Sequence, residues 1–209
     1  MPIVRVREHV NPLSRKYATP VPPPDWRATY ADLTQPLHLD IGCGKGRFNL
    51  QMAQAAPDWN FLGLEIREPL VEQALIWRDE LKLTNLFYLF CNVNNSLQPL
   101  LDSLPGGSLR RVSIQFPDPW FKRKQQKRRV VQPEIVAVIA THLASGGELF
   151  VQSDVLEVEQ EMVDRFAEHA AFARCGSDWL ANPLPIATER ETSTLERGEA
   201  VYRALFVRQ

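Results

Sequence analysis

The run Asp40-Ile41-Gly42-Cys43-Gly44-Lys45-Gly46 follows a short apolar stretch and leads into a helical pattern carrying Phe48, Leu50, Met52 and Ala53. Glycines at such a turn let the chain bend sharply and let a ligand approach backbone that a Cβ would cover. The spacing is G-x-G-x-G. A dinucleotide-binding turn would place its third glycine at position 47, where this chain has Arg47, and the G-x-x-x-x-G-K-[ST] phosphate loop is absent. Asp40 stands two positions before Gly42, so the turn suits a cationic ligand and would repel a pyrophosphate. S-adenosylmethionine, which carries an ammonium and a sulfonium, has the matching chemistry, with Gly42, Gly44 and Gly46 shaping its loop.

Two further acidic positions extend this reading. Glu65 ends the next apolar stretch, where a carboxylate can accept hydrogen bonds from two ribose hydroxyls. Asn92 follows a third stretch and is placed to contact an adenine. Asp118 lies in Phe116-Pro117-Asp118-Pro119-Trp120, where the prolines restrict its backbone and forbid helix just before them. A carboxylate presented there should face the cofactor's methyl group.

The elements that must position these residues alternate between periods. Strands are expected at 37–41, 61–66, 86–90, 111–116, 148–152 and 200–207. Helical spacing fills the stretch closed by Pro57, then 69–81, the helix of Ile135, Val138, Ile139 and Leu143, and 155–167. Residues 97–104 read as a brief helix at most. Such alternation implies an α/β fold with a mostly parallel sheet, which binds ligands at the carboxyl ends of its strands. Residues 1–36 hold Pro12, Pro20, Pro22, Pro23 and Pro24, so an irregular arm is expected there, basic through Arg5, Arg7, Arg15 and Lys16. The single catalytic domain is expected at 37–209.

Composition narrows the class further. The chain has 209 residues, 44% of them hydrophobic and 23% charged, as an ordinary globular protein does. No apolar run is long enough to span a bilayer, and Met1–Arg5 does not begin a secretory signal. Cys43, Cys91 and Cys175 are too scattered for a disulfide framework or a zinc site, which fits free thiols in a cytoplasmic protein without a metal. Net charge is −1, yet Lys122, Arg123, Lys124, Lys127, Arg128 and Arg129 put six positive charges within eight residues, leaving −7 for the remainder. One concentrated basic stripe on an otherwise acidic chain marks a local anion site. Charge runs are ordinarily solvated faces; this one directly follows the Asp118 loop.

The segment Phe116–Arg129 resembles the signature of the tRNA (guanine-N7-)-methyltransferase family, which carries a similar F-P-D-P-W run followed by lysine and a K-R-R run. Gly63-Leu64-Glu65, Gln152-Ser153-Asp154, Thr188-Glu189-Arg190-Glu191 and Tyr202–Phe206 fall in the family's order. The resemblance implies a single Rossmann-like class I methyltransferase domain with seven strands and helices on both faces. It also implies S-adenosylmethionine as cofactor and N7 of a guanosine in the tRNA variable loop as target. By that resemblance Asp40, Glu65, Asn92 and Asp118 line the cofactor pocket, with Asp118 catalytic. Lys122, Asp154, Thr188 and Glu191 would bind the nucleoside, while Lys124, Lys127, Arg128 and Arg129 would touch RNA. Phe121 stands where the family usually has proline, Gln125 where it often has histidine, and Arg190 where it usually has an aromatic. A methyltransferase for another nucleophile and a catalytically silent RNA-binding module stay open, as do monomer and homodimer.

Overall fold

The computed structural model describes residues 10–209. Arg5, Arg7 and the start of the chain lie outside the described residues. Seven strands form one sheet: β1 (Leu37–Ile41), β2 (Asn60–Glu65), β3 (Leu86–Phe90), β4 (Leu109–Gln115), β5 (Glu148–Ser153), β6 (Phe172–Arg174) and β7 (Tyr202–Arg208). Their order is β3-β2-β1-β4-β5-β7-β6. β1 pairs in parallel with both β2 and β4, while β7 runs antiparallel to β5 and β6. Strand order reverses at β1, between β2 and β4, where parallel sheets of this kind leave a crevice at their carboxyl ends.

The period of two along each strand builds a core on both faces. Leu37, Leu39 and Ile41 of β1 join Leu62 and Leu64 of β2 on one face. That face is covered by α4 (Val93–Asp102), α5 (Pro133–His142) and α6 (Leu156–Ala167). Phe61 and Tyr88 point to the other face, against Phe48 and Met52 of α2 (Arg47–Ala55) and Ala74 and Trp77 of α3 (Glu68–Glu80). Every residue of β1 and β2 is buried, as expected of strands covered on both sides.

Three elements depart from the sequence expectation. α4 is a full ten-residue helix despite Pro99. Asn92 caps it, its side chain accepting from the Asn94 N–H, and Val93, Leu97, Leu100 and Leu101 give it a buried stripe. β6 is only three residues long. α7 (Glu189–Glu196) was not expected, because its sequence ERETSTLE has almost no apolar periodicity.

Residues 10–26 run along α4 and are held there, while residues 30–32 bond to β2 and to Thr84 before β3. Asn92 Nδ2 donates to the carbonyls of Pro12 and Tyr17 at 3.0 and 3.1 Å. The Val21 N–H donates to Ser96 Oγ, and Trp26 Nε1, in the short helix α1 (Trp26–Thr29), donates to Ser103 Oγ at 2.8 Å. Tyr30 hydroxyl reaches the Phe61 carbonyl at 3.1 Å. The proline-rich stretch is therefore short of helix but packed. Among the described residues no helix is long and apolar enough to cross a membrane, and no group of His, Cys, Asp or Glu side chains is placed to hold a metal ion.

Candidate active site

A cleft opens at the carboxyl ends of the strands where their order reverses. Gly42, Glu65, Asn92 and Asp118 all line it, together with Arg67 and the apolar side chains of Ile41, Leu64, Cys91 and Val130. The glycine-rich turn is closed over β2: the N–H groups of Gly42 and Cys43 donate to the Leu64 carbonyl at 2.8 and 3.0 Å. Gly46 is the N-cap of α2 with φ 74°, and a Cβ on it would lie 2.6 Å from the Tyr88 ring. Tyr88 also donates its hydroxyl to the Gly46 carbonyl at 2.6 Å, so one phenol both requires the glycine and ties it down.

Glu65 is 3% exposed, and its carboxylate is fully engaged. It accepts from the Gly44 N–H at 2.9 Å, from the Arg67 N–H at 2.9 Å and from the Arg67 guanidinium through two nitrogens, each at 2.9 Å. Burial works against the Arg67 charge, but the bonds and attraction from Glu65, with a Coulombic contribution from Asp118, hold its pKa above the ordinary value. Arg67 thus lies under the influence of Glu65 and Asp118, two of the three carboxylates expected to serve the cofactor. The sequence carried only a weak trace of it, a cation two residues after Glu65 and so on the same side of an extended chain.

Asp40 does not line the cleft. It is 3% exposed beneath the turn and accepts from Ser113 Oγ at 2.6 Å, Gln115 Nε2 at 3.2 Å and Asn49 Nδ2 at 3.1 Å. Burial raises its pKa and these three donors oppose the rise. Ser113 gives its proton to Asp40, so its oxygen accepts from His38 Nε2 at 2.9 Å, which assigns the proton of the neutral ring to Nε2. Burial first, and Arg111 second, push the His38 pKa down to about 3, so the imidazole is uncharged at neutral pH. Asp40 supports the turn from below through its neighbours.

A buried chain of polar side chains continues from there. Gln115 Oε1 accepts from Gln152 Nε2 at 2.8 Å, and the same amide reaches Glu191 Oε2 at 3.2 Å. Arg203 closes the cluster, donating to Gln152 Oε1 at 3.1 Å and to Glu191 Oε1 at 2.7 Å, while Asn182 donates to Glu191 Oε2 at 2.8 Å. Glu191, expected at the nucleoside, is 2% exposed and anchors α7 to the sheet. Thr188 caps the same helix by accepting from the Glu191 N–H. Asp154 accepts from Nε and Nη2 of Arg190 at 2.9 and 2.6 Å, so the departure from the family's aromatic has its own carboxylate partner. Asp154, Thr188 and Glu191 therefore cluster beyond β5; neither they nor Lys122 line the cleft.

The Asp118 loop is bracketed by two non-glycine residues in the left-handed region, Phe116 at φ 50° and Trp120 at φ 43°. Such conformations are costly and persist where the surroundings fix them. The basic stripe after it forms a 3-10 helix over Arg123–Arg128 and splits by burial. Arg129 is 4% exposed. It donates to the Pro119 carbonyl and to Glu157, each at 2.8 Å, and bonds Glu161 as well, fastening the loop onto α6. The expected RNA contact by Arg129 does not fit this placement: its charge is spent inside the protein. Arg128 packs its guanidinium over the Trp120 ring at 4.8 Å and lines the cleft. Lys122, Arg123, Lys124 and Lys127 are exposed.

Residues 34–204 match a family model described as "Putative methyltransferase". A relative from Trichormus variabilis named tRNA (guanine-N(7)-)-methyltransferase is 64% identical, covering 100% of this chain and 98% of that one. One of the same name from Synechococcus elongatus is 60% identical, covering 99% and 97%. Among solved structures, the aminoglycoside resistance methyltransferase NpmB1 is similar with a TM-score of 0.55 at 20% identity, covering 87% of this chain and 89% of that one. A precorrin-6y C5,15-methyltransferase from Geobacter metallireducens gives 0.55 at 14%, covering 87% and 85%. At those identities the likeness shows the fold, a Rossmann-like methyltransferase sheet. With a family model over most of its length and relatives this close along all of it, the chain belongs to the tRNA (guanine-N7-)-methyltransferase family.

Proposed function

We propose that this protein transfers a methyl group from S-adenosylmethionine to N7 of a guanosine in tRNA, in the variable loop, and that it does so in the cytoplasm. The observation that carries this reading is full-length identity of 64% to a relative bearing that name. The cleft supports it by joining Glu65, Asp118 and the open Gly42 turn in one cavity. The cofactor fits the residues present: no atom stands within 4 Å of a Cβ built on Gly42, so a ligand can approach the turn, and Glu65 at the end of β2 offers carboxylate oxygens to its ribose hydroxyls. S-adenosylmethionine supplies, when bound, an electrophilic methyl group on sulfur.

Guanine N7 already has a lone pair, so no residue of this chain has to remove a proton from it. The work left to the protein is alignment and electrostatic stabilisation. Glu65 would hold the ribose, with Arg67 giving way or sharing its carboxylate. Asp118 would accept the base's N1 and N2 protons and stabilise the positive charge that develops on the ring. Lys122, Asp154 and Thr188 would approach the nucleoside from the β5 side, and Lys124, Lys127 and Arg128 would meet phosphates.

Incubation with methyl-labelled cofactor and bulk tRNA, followed by chemical cleavage at 7-methylguanosine, tests the reading. A cut in the variable loop is expected. Label in protein or small molecules with none in tRNA would defeat it.

A further inference from the structure

Phe121 is the most exposed large apolar side chain among the described residues, at 66%. A lone exposed apolar residue ordinarily needs no explanation. This one lies between Trp120, whose ring lines the cleft, and the exposed cations Lys122, Arg123 and Lys124. Its backbone follows Pro119 and the left-handed Trp120, and Arg129 fastens the same loop to Pro119 and α6. The ring is therefore carried on a loop fixed at both ends and is not tucked into a core.

Of the other aromatics in the loop, Phe116 lines the cleft and Trp120 is covered by the Arg128 guanidinium at 4.8 Å. Phe121 leaves an aromatic face open to solvent beside a row of positive charge. Proteins that hold unpaired nucleotides combine these two elements, cations along the backbone and aromatic faces against the bases. Bases in loops are also the ones that can be splayed out and stacked.

We propose that Phe121 is a stacking platform for an unpaired base of the RNA, adjacent to the nucleotide that enters the cleft. The proposal rests on the tRNA reading above. The ring supplies contact that does not depend on base identity, and the lysines and arginines beside it hold the flanking phosphates.

The test measures tRNA binding by the full-length protein and its Phe121→Ala, Phe121→Leu and Phe121→Trp variants across a salt series. About ten-fold weaker binding is expected for the alanine variant, with wild-type affinity or better for tryptophan. The salt slope should stay unchanged in F121A, whereas Lys124→Gln should lower it by about one. Tryptophan emission in F121W should change when tRNA is added. Wild-type affinity in F121A overturns the proposal, and so does full rescue by leucine, which would leave only apolar bulk. Lost binding to anionic lipid vesicles with tRNA binding intact would assign the ring to a membrane surface and overturn it too. If the wild-type protein methylates tRNA while F121A binds normally, only the stacking role fails. If the wild-type protein neither binds nor methylates tRNA, the functional reading fails with it.

Discussion

Gln152 donates its side-chain amide to Gln115 Oε1 across 2.8 Å, and through that bond the ends of β4 and β5 share one buried polar cluster. Gln115 also donates to Asp40 beneath the glycine-rich turn, and Gln152 meets Glu191 and Arg203. Replacing Gln152 by leucine would leave Gln115, Glu191 and Arg203 with buried polar atoms short of partners. A loss on the order of 3 kcal/mol in unfolding free energy is expected, read by denaturant titration. Wild-type stability in Q152L would show that the cluster is replaceable by packing alone.

Asp118 is expected to act on the rate. Asp118→Ala should slow single-turnover methyl transfer by about a hundred-fold with tRNA and cofactor saturating, the scale seen when one group stabilising transition-state charge is removed. An unchanged rate would reduce Asp118 to a turn residue between prolines.

The basic stripe separates into two experiments. Arg129→Met should lower stability by about 2 kcal/mol, because the loop loses its tie to Pro119, Glu157 and Glu161. Lys124→Gln combined with Lys127→Gln should leave the melting temperature alone and flatten the salt dependence of tRNA binding. Reversal of these two phenotypes would mean that the stripe is assigned backwards.

Glu159 gives the pH prediction. It is fully buried, neither carboxylate oxygen has a hydrogen-bond partner among the described residues, and burial pushes its pKa up to about 9 despite attraction from Arg174 and Arg203. The folded value lies above the unfolded one. Its contribution to stability is therefore whole below about pH 4.5 and is lost progressively as pH rises towards 9. At pH 7 the loss is on the order of 3 kcal/mol. Thermal melts of Glu159→Gln should show a stabilised protein at pH 7 to 8 and no difference below pH 4. Parallel curves at all pH values would contradict this.

The parts of the fold legible in the sequence are those that bury continuous apolar runs. β1 and β2 are buried on both faces, so Leu37–Ile41 and Phe61–Leu64 announce themselves, and Glu65 stands out as the polar end of one. α7 was not legible because ion pairs, Glu191 with Arg203 and Arg190 with Asp154 among them, hold a polar helix that periodicity cannot find. β6 is too short to carry a pattern. The start of the segment 10–36 docks through the backbone carbonyls of Pro12 and Tyr17, and any residue type presents those. Arg128 and Arg129 are neighbours of one type, yet only the carboxylates of α6, 28 and 32 residues away along the chain, distinguish a buried anchor from the rest of the stripe.

Tyr88 has a consequence for how the chain can change over generations. Its ring occupies the space that a Cβ would need at Gly46 and also at Gly63, with approaches of 2.6 and 2.7 Å. Either glycine can gain a side chain only in a background where the ring has already been cut away, and at Gly63 the Cys43 thiol and the Asn49 amide, at 2.8 and 2.9 Å, would have to move as well. That background has lost the hydroxyl bond holding the Gly46 carbonyl. A side chain at either glycine therefore waits on an earlier change at Tyr88, which couples three positions drawn from α2's cap, β2 and β3.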